Sequence, residues 1–209
     1  MSASIIPAPC PQALPNPSVN RPRRLTASSL RTSVRRVGYL QRQVSTMAKP
    51  VLTLEPLNAD SFSEFLEQAV AGYASDNVAA GRWMPQDALS LARKETEQLL
   101  PVGATTPGHY FFGISVPGTP APVGYLWLAS MQRGSAKVAY IYQIVIKPEH
   151  RRHGYAREAL RQAEAFAAKD GHAAMALNVF APNTAAQALY RSLGYAVTNM
   201  NMAKPLSTK

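Results

Sequence analysis

The chain has 209 residues, of which 46% are hydrophobic, a length that can bury one hydrophobic core but does not suggest a second full domain. Its formal net charge of +10 is spread unevenly, and no window of 18 uninterrupted apolar residues predicts a membrane span. The single cysteine, Cys10, excludes an intrachain disulfide and argues against a cysteine-acyl intermediate in the core. Four scattered histidines lack paired ligand spacing, so no metal site is expected.

The basic charge is concentrated in a leader, residues 1–46, which holds seven Arg and no Asp or Glu. Its six prolines, seven serines and missing hydrophobic periodicity predict disorder. Three interpretations stay open: an organellar transit peptide, a basic arm that touches RNA or DNA, or a start codon placed too far upstream. Met47 begins a natural start, Met-Ala-Lys-Pro, so we divide the chain into this leader and a domain over residues 47–209.

The first part of the domain is predicted to contain one strand and two helices. Val51 to Leu57 has the pattern of a strand, and Asn58 or Asp60 can cap a helix whose apolar residues keep helical spacing. A second helix is predicted from Pro85 or Gln86, because proline is accepted in a first turn. These elements precede a series of strands.

Three strands separated by turns predict an antiparallel meander: Tyr110 to Val116, Val123 to Met131 and Val138 to Ile146. A helix from Tyr155 to Asp170 and a strand from Met175 to Phe180 follow. A strand, a helix and a strand in this order imply a right-handed crossover with a locally parallel pair. A helix from Asn183 to Leu193 and a last strand complete the domain, so the fold class is α/β with a mixed, mostly antiparallel sheet flanked by helices.

A short basic loop connects the strand that ends at Ile146 to the helix that begins at Tyr155. It consists of Arg151, Arg152, His153, Gly154, Tyr155 and Ala156. Unpaired N–H groups at a helix N-terminus favour a phosphate, and Gly154 lets the backbone approach a bulky ligand. Taken alone, the loop is equally typical of a solvated basic turn.

A second motif follows the last predicted crossover. It consists of Asn183, Ala186, Tyr190, Gly194 and Tyr195. Asn183 follows a proline and precedes a helical run, so it is predicted as an N-cap. Tyr190 lies seven residues later, which is two helical turns, so both residues lie on one face. A buried core position is the alternative interpretation of Tyr190.

Together, the two motifs resemble the GCN5-related N-acetyltransferase superfamily, over about Leu52 to Leu206. The resemblance implies acetyl-coenzyme A as co-substrate, with its pyrophosphate on the R/Q-x-x-G-x-G/A loop, here Arg151 to Ala156. It implies that the segment N-x-x-A-x-x-x-Y-x-x-x-G-[FY], with Asn183, flanks the thioester. It also implies that a tyrosine at the place of Tyr190 protonates the leaving thiolate, which suits a phenol.

The end of the preceding strand is a candidate for binding the pantetheine arm of the co-substrate. Ile144, Val145 and Ile146 can offer backbone groups to this arm, which resembles a short peptide and can pair like an added strand. Core packing of the two isoleucines is compatible with this role, because pairing uses the backbone and packing uses the side chains.

The acceptor side is expected to involve Asp76, Tyr142 and Gln143. Attack on a thioester needs a neutral amine, hence a base or a water path to one, and an N–H donor for the oxyanion. Family relatives often have an acidic residue at the position of Gln143. The Gln143 amide cannot take a proton, so the family's base cannot be assigned to this position. Asp76 and Glu149 are alternative carboxylates, although each is also typical of a helix end or a solvated loop. Aromatic residues that can border the pocket, most of them expected in the core, are Tyr73, Trp83, His109, Tyr110, Trp127 and Tyr142.

The sequence therefore predicts an N-acetyltransferase that moves an acetyl group from acetyl-coenzyme A to a primary amine by direct attack in a ternary complex, without a metal. The acceptor is a small molecule, an amino acid, a peptide or a protein. A noncatalytic acyl-coenzyme A sensor and a nucleic-acid-associated modifier that uses the leader are the alternatives. No membrane or nucleic-acid partner is expected, and a homodimer stays open. We expect a cytoplasmic location, with organellar import open if the leader is present.

Overall fold

Helices and strands occupy most of the computed structural model, which describes residues 2–3, 50–204 and 206. The predicted leader, apart from residues 2–3, and Met47 lie outside these described residues. The elements, in chain order, are β1 (Ser2–Ala3), β2 (Thr53–Pro56), α1 (Ala59–Ala79), α2 (Pro85–Leu99), β3 (His109–Ser115), β4 (Gly124–Arg133), β5 (Ala136–Ile146), α3 (Tyr155–Lys169), β6 (Ala174–Leu177) and α4 (Thr184–Ser192).

The sheet has the strand order β1-β5-β4-β3-β2, with β6 also paired to β5. Strands β2 to β5 are consecutive and antiparallel, so the predicted meander is confirmed. The parallel pair of the predicted crossover is also confirmed, because β6 pairs with β5 from Val138 to Ile141. Strand β1 pairs antiparallel with Ile144 and Val145. One edge of β5 therefore receives β6 near its start and β1 near its end.

Hydrophobic cores lie on both faces of the sheet, because successive strand residues point to opposite sides. Helices α1 and α2 cover an aromatic core that includes Phe65, Tyr73 and Trp127. Helices α3 and α4 cover an aliphatic core that includes Leu126 and Leu160. We call these the α1/α2 face and the α3/α4 face.

The helices begin where local signals predict. The Asn58 side chain accepts a hydrogen bond from the Ser61 N–H at 2.9 Å and caps α1. Pro85 occupies the first turn of α2, where its missing N–H removes no helical hydrogen bond.

The strand predicted after α4 is not formed, since residues 195–204 adopt neither helix nor strand. Two asparagines interrupt this segment, and the Asn199 side chain accepts a hydrogen bond from the Met200 N–H at 2.8 Å. Such a local bond competes with strand pairing. Val197, Met200 and Met202 are consequently exposed.

Gly124 begins β4 at a point where only a hydrogen atom fits between β4 and β5. A Cβ atom would overlap the Val145 carbonyl oxygen and lie 2.9 Å from Ile146 Cδ1. We expect Gly124→Ala to lower the free energy of unfolding by about 3 kcal/mol in urea denaturation, because a paired backbone carbonyl cannot move aside. Gly134→Ala, in open space at φ +59°, should cost about 1 kcal/mol. An equal cost for both variants would contradict this explanation.

Candidate active site

The outer edge of β5 is open to added chain beyond the end of β6. Strand β6 ends at Leu177, opposite Ile141, whereas β5 continues to Ile146. Ser2 pairs with Val145 and Ala3 with Ile144, so this edge accepts an extended chain. Ile144 and Val145 are among the residues predicted to bind the pantetheine arm, and that role remains a prediction. Ser2 and Ala3 would have to leave this edge for the arm to bind. The side chains of Ile144 and Ile146 pack in the core of the α3/α4 face.

A β-bulge lies at the start of this open edge. Trp127 of β4 faces Gln143 and Leu128 faces Ile141, so the register passes over Tyr142. The Tyr142 ring stacks on Trp127, with centroids 4.8 Å apart, and Gln143 shares the face of its partner Trp127. The bulge therefore turns two consecutive side chains, both predicted to contact the acceptor, toward the α1/α2 face.

The basic loop presents backbone N–H groups at the start of α3. Gly154 is the N-cap at φ +80°, and no side chain caps the helix. Arg152 adopts φ +70°, a left-handed conformation that is uncommon for a residue with a Cβ atom. Left-handed residues next to an uncapped helix N-terminus form a concave arrangement of N–H groups that suits an anion.

The side chains of this loop divide into structural and exposed groups. The Arg151 Nε–H donates to the Ile146 carbonyl oxygen at 3.0 Å and ties the loop to the end of β5. The His153 Nδ1–H donates to the His150 carbonyl oxygen at 3.2 Å, and its ring stacks on Tyr155. Arg152 is exposed, and its side chain bonds to no other described residue. Ala156 packs at the border of the α3/α4 core.

Asn183 and Tyr190 occupy the start and the end of α4. The Asn183 side chain accepts a hydrogen bond from the Ala186 N–H at 3.1 Å, which confirms the predicted N-cap. Tyr190 is only 3% exposed, and its burial raises the pKa of its hydroxyl, which therefore stays protonated at neutral pH. Its hydroxyl has no hydrogen-bond partner among the described residues. This burial matches a core tyrosine, and a role as acid remains a prediction.

A cavity of about 340 Å³ lies between the end of α1 and the loop that joins β6 to α4. It is lined by Asp76, Ala79, Ala80, Phe180, Pro182 and Asn183. The Arg82 guanidinium lies 5.1 Å from the centre of the Phe180 ring, within cation–π distance. The cavity joins Asp76, predicted on the acceptor side, to Asn183, predicted beside the thioester. Glu149 lies exposed in the turn Pro148–His150 and does not line this cavity.

Half of the six aromatic residues considered for the pocket are buried in the core. Tyr73, Trp127 and Tyr142 are buried in the α1/α2 core, while Trp83, His109 and Tyr110 are half-buried. The Tyr73 hydroxyl donates to Glu95 Oε2 at 2.7 Å. The Trp127 Nε1–H donates to His109 Nδ1 at 2.9 Å, which leaves the proton of the neutral imidazole on Nε2.

His109 should make the protein less stable in acid. Burial lowers the pKa of His109, so the folded state binds fewer protons than the unfolded state. Its contribution is present above the unfolded pKa of about 6.5 and is lost as the pH falls toward the lower folded pKa, with a slope of at most about 1.4 kcal/mol per pH unit. In urea denaturation across this range, His109→Gln should remove that slope while keeping an acceptor for Trp127. An unchanged slope would assign the acid sensitivity to another group.

Three features of the site were not predicted from the sequence: the bulge, the cation–π contact of Arg82 and the cavity itself. Phe180 was predicted only as the end of a strand, which stops earlier, at Leu177. The sequence Phe-Ala-Pro-Asn, with a proline before a capping residue, indicates the turn that brings Phe180 to α1.

The described residues contain no group of three or more His, Cys, Asp or Glu side chains that could hold a metal ion. Among the same residues, every helix is too short or too polar to cross a membrane.

Comparison with known proteins assigns the chain and its fold to a class. Residues 79–195 match the family model of the acetyltransferase (GNAT) family. The uncharacterized N-acetyltransferases YycN and YdgE of Bacillus subtilis (strain 168) are each 32% identical to this chain, over 155 and 154 residues. These alignments cover 74% of this chain and 99% and 98% of the two relatives.

Solved structures agree with this assignment. The crystal structure of the putative acetyltransferase YycN from Bacillus subtilis is similar with a TM-score of 0.71 and 31% identity, covering 76% of this chain and all of the other. A putative acetyl transferase from Pyrococcus furiosus shares the fold with a TM-score of 0.57 and 22% identity, over 75% of this chain and 100% of that one. The chain belongs to the acetyltransferase (GNAT) family and is an acyltransferase with the general N-acetyltransferase activity of that family.

Proposed function

We propose that this protein transfers the acetyl group of acetyl-coenzyme A to a primary amine of a small molecule, an amino acid, a peptide or a protein, by direct attack in a ternary complex. The observation that carries the proposal is the continuity of two binding features. The open edge of β5 ends at Ile146, and the uncapped N-terminus of α3 begins eight residues later at Gly154. One ligand with an extended arm and a pyrophosphate fits this order.

The residues present suit acetyl-coenzyme A. Backbone groups of Ile144 to Ile146 pair with the pantetheine arm, in the way that Ile144 and Val145 pair with Ala3 and Ser2 in this structure. The N–H groups at the start of α3 bind the pyrophosphate, helped by the positive end of the helix dipole. Arg152 adds the cationic side chain, while Arg151 holds the loop against β5.

The two faces of the sheet take different parts of the reaction. Tyr190 lies on the α3/α4 face and donates a proton to the departing sulfur. Tyr142 and Gln143 lie on the α1/α2 face and border the acceptor. Backbone N–H groups freed by the bulge stabilise the oxyanion between them. Asp76, in the cavity beside Asn183, accepts a hydrogen bond from the acceptor.

The remaining expectations concern the setting of the enzyme. We propose residues 47–209 as the catalytic unit and the cytoplasm as its location, and we propose no part in the reaction for the leader. A noncatalytic sensor of acyl-coenzyme A is the second candidate, because the amide of Gln143 cannot take a proton from the acceptor.

Product analysis tests the proposal. The full chain is incubated with acetyl-coenzyme A and a panel of amines, amino acids and short peptides, and the products are identified by mass spectrometry. We expect at least one primary amine to gain one acetyl group on nitrogen, and only when the enzyme is present. Tight binding of acetyl-coenzyme A without any acetylated product would support the sensor instead.

A further inference from the structure

Gln143 carries a buried amide whose oxygen is left unpaired by the described part of the chain. The residue is 3% exposed, and its Oε1 atom is enclosed and has no hydrogen-bond partner among the described residues. Burial of an unpaired amide costs free energy, and most buried polar groups in folded proteins are paired. An amide both accepts and donates hydrogen bonds, so it suits a ligand that carries N–H groups.

The position of Gln143 directs this amide toward the reaction. It lies at the bulge, just before the strand edge proposed for the pantetheine arm, and it shares the face of Trp127. The acceptor is proposed to arrive on that α1/α2 face. The amide therefore lies between the proposed positions of the thioester and of the attacking nitrogen.

Among the residues that the structure describes, few groups on this face can take a proton from an amine. Glu95 of α2 accepts the Tyr73 hydroxyl, and His109 of β3 accepts the Trp127 N–H. The other acidic side chains near this face are Glu64 and Asp76 of α1. The other tyrosines on this face are Tyr125 of β4 and Tyr140 and Tyr142 of β5. The cations near this face are Lys147 over Tyr125, Arg133 over Tyr140 and Arg82 over Phe180. Asp76 is the carboxylate among them that lines the cavity.

We propose that Gln143 accepts a hydrogen bond from an amine that arrives already neutral, so that the enzyme selects weakly basic primary amines, such as the α-amino group of an amino acid or peptide, over lysine-like alkyl amines. This inference rests on the proposed function. An α-amino group has a pKa of about 7.8 and a lysine side chain one of about 10.4. At about pH 7.5 the neutral fraction is therefore about 250-fold larger for the α-amine.

The chemical step balances without an enzymatic base. The nitrogen lone pair of the neutral amine attacks the thioester carbonyl carbon, a C–N bond forms and the C–S bond breaks. Tyr190 gives its proton to the departing sulfur and recovers one from solvent. The nitrogen releases one proton to solvent, so the products are an amide and a thiol with no net uptake or release of protons.

Two isomeric peptides test the proposal with the full chain. One has a free α-amine and an acetylated lysine, and the other has an acetylated α-amine and a free lysine. The kcat/KM for thiol release is measured between about pH 6 and pH 10. We expect the α-amine profile to flatten near pH 8 and the lysine profile to keep rising, with a ratio of about 250 near pH 7.5. Profiles that flatten at one shared pH would reveal an enzymatic base and overturn the inference.

Variants separate Gln143 from Asp76. Gln143→Glu supplies a carboxylate that can act as a base. The pH profiles of kcat/KM for both peptides should therefore gain one shared inflection, and the preference for the α-amine peptide should fall. Gln143→Leu should lower kcat/KM by about 10-fold with the shapes of the profiles unchanged. Asp76→Asn should keep the pH at which each profile flattens, and loss of an inflection in this variant would identify Asp76 as a base and overturn the inference.

Failure of the inference differs from failure of the proposed function. If thiol is released and the pH profiles of the two peptides share one inflection, only the inference about neutral amines is overturned, and the proposed function stands. No release with any amine, while acetyl-coenzyme A still binds, would remove the proposed function and the inference with it. Melting temperatures and affinity for coenzyme A, measured for each variant, establish that a lowered rate does not come from unfolding.

Discussion

Gly154→Glu is expected to weaken acetyl-coenzyme A binding by about 100-fold or more, measured by isothermal titration calorimetry. Gly154 has φ +80° and caps α3, so its backbone belongs to the proposed pyrophosphate site. A carboxylate there repels the phosphates and competes for the N–H groups of the first turn. Pro50 lies 3.7 Å from the position of a Cβ atom, which is ordinary contact, so the loss should not come from a steric clash within the loop.

Gly118→Glu is the matched control for this substitution. Gly118 has φ +83°, and nothing lies within 4 Å of its Cβ position. It occupies the turn between β3 and β4, so it reproduces the backbone strain and the added charge away from the loop. We expect about 1 kcal/mol of lost stability in both variants and lost binding only in Gly154→Glu. Equal affinities for the two variants would remove the α3 N-terminus from the binding site.

Tyr190→Phe should lower kcat by about 100-fold or more and leave the affinity for acetyl-coenzyme A within about threefold. Burial raises the pKa of Tyr190, so its hydroxyl holds a proton that it can donate. The hydroxyl bonds to no described residue, so its removal should disturb the fold little. Single-turnover and steady-state rates of thiol release measure the effect.

Tyr195→Phe serves as the control for Tyr190→Phe. The two rings lie 5.7 Å apart, and the Tyr195 hydroxyl contacts Met175 Sδ at 3.8 Å and also interacts with the Glu164 carboxylate. Phenylalanine is an accepted residue at this place of the motif that the chain resembles, so turnover should persist. If both variants lose turnover equally, packing of the tyrosine pair explains the loss, and if neither loses it, Tyr190 is not the acid.

Local signals predicted the elements that position the site. Helix α3 begins at Tyr155 because a glycine in left-handed conformation ends the loop before it, and Asn183 caps α4 because its short side chain reaches the Ala186 N–H. Apolar runs separated by turns predicted the meander, and the structure confirms it. Each of these features depends on residues that are near one another in the chain.

Features that depend on distant partners could not be predicted in this way. A bulge at Tyr142 has no local signal, since tyrosine and glutamine both fit a strand and the extra residue is defined only by its pairing with β4. The cavity forms only where α1 and the loop that contains Phe180 come together. No periodic pattern in the sequence indicates that Ser2 and Ala3 pair with β5. The predicted last strand failed for the related reason that a strand forms only against a partner.

Initial rates of thiol release, measured while acetyl-coenzyme A and an accepted amine are both varied, test the central claim most directly. Our account predicts that release depends on the amine and that double-reciprocal plots intersect, because both substrates must be bound before the acetyl group moves. Parallel plots, or release at the same rate without an amine, would contradict direct transfer in a ternary complex.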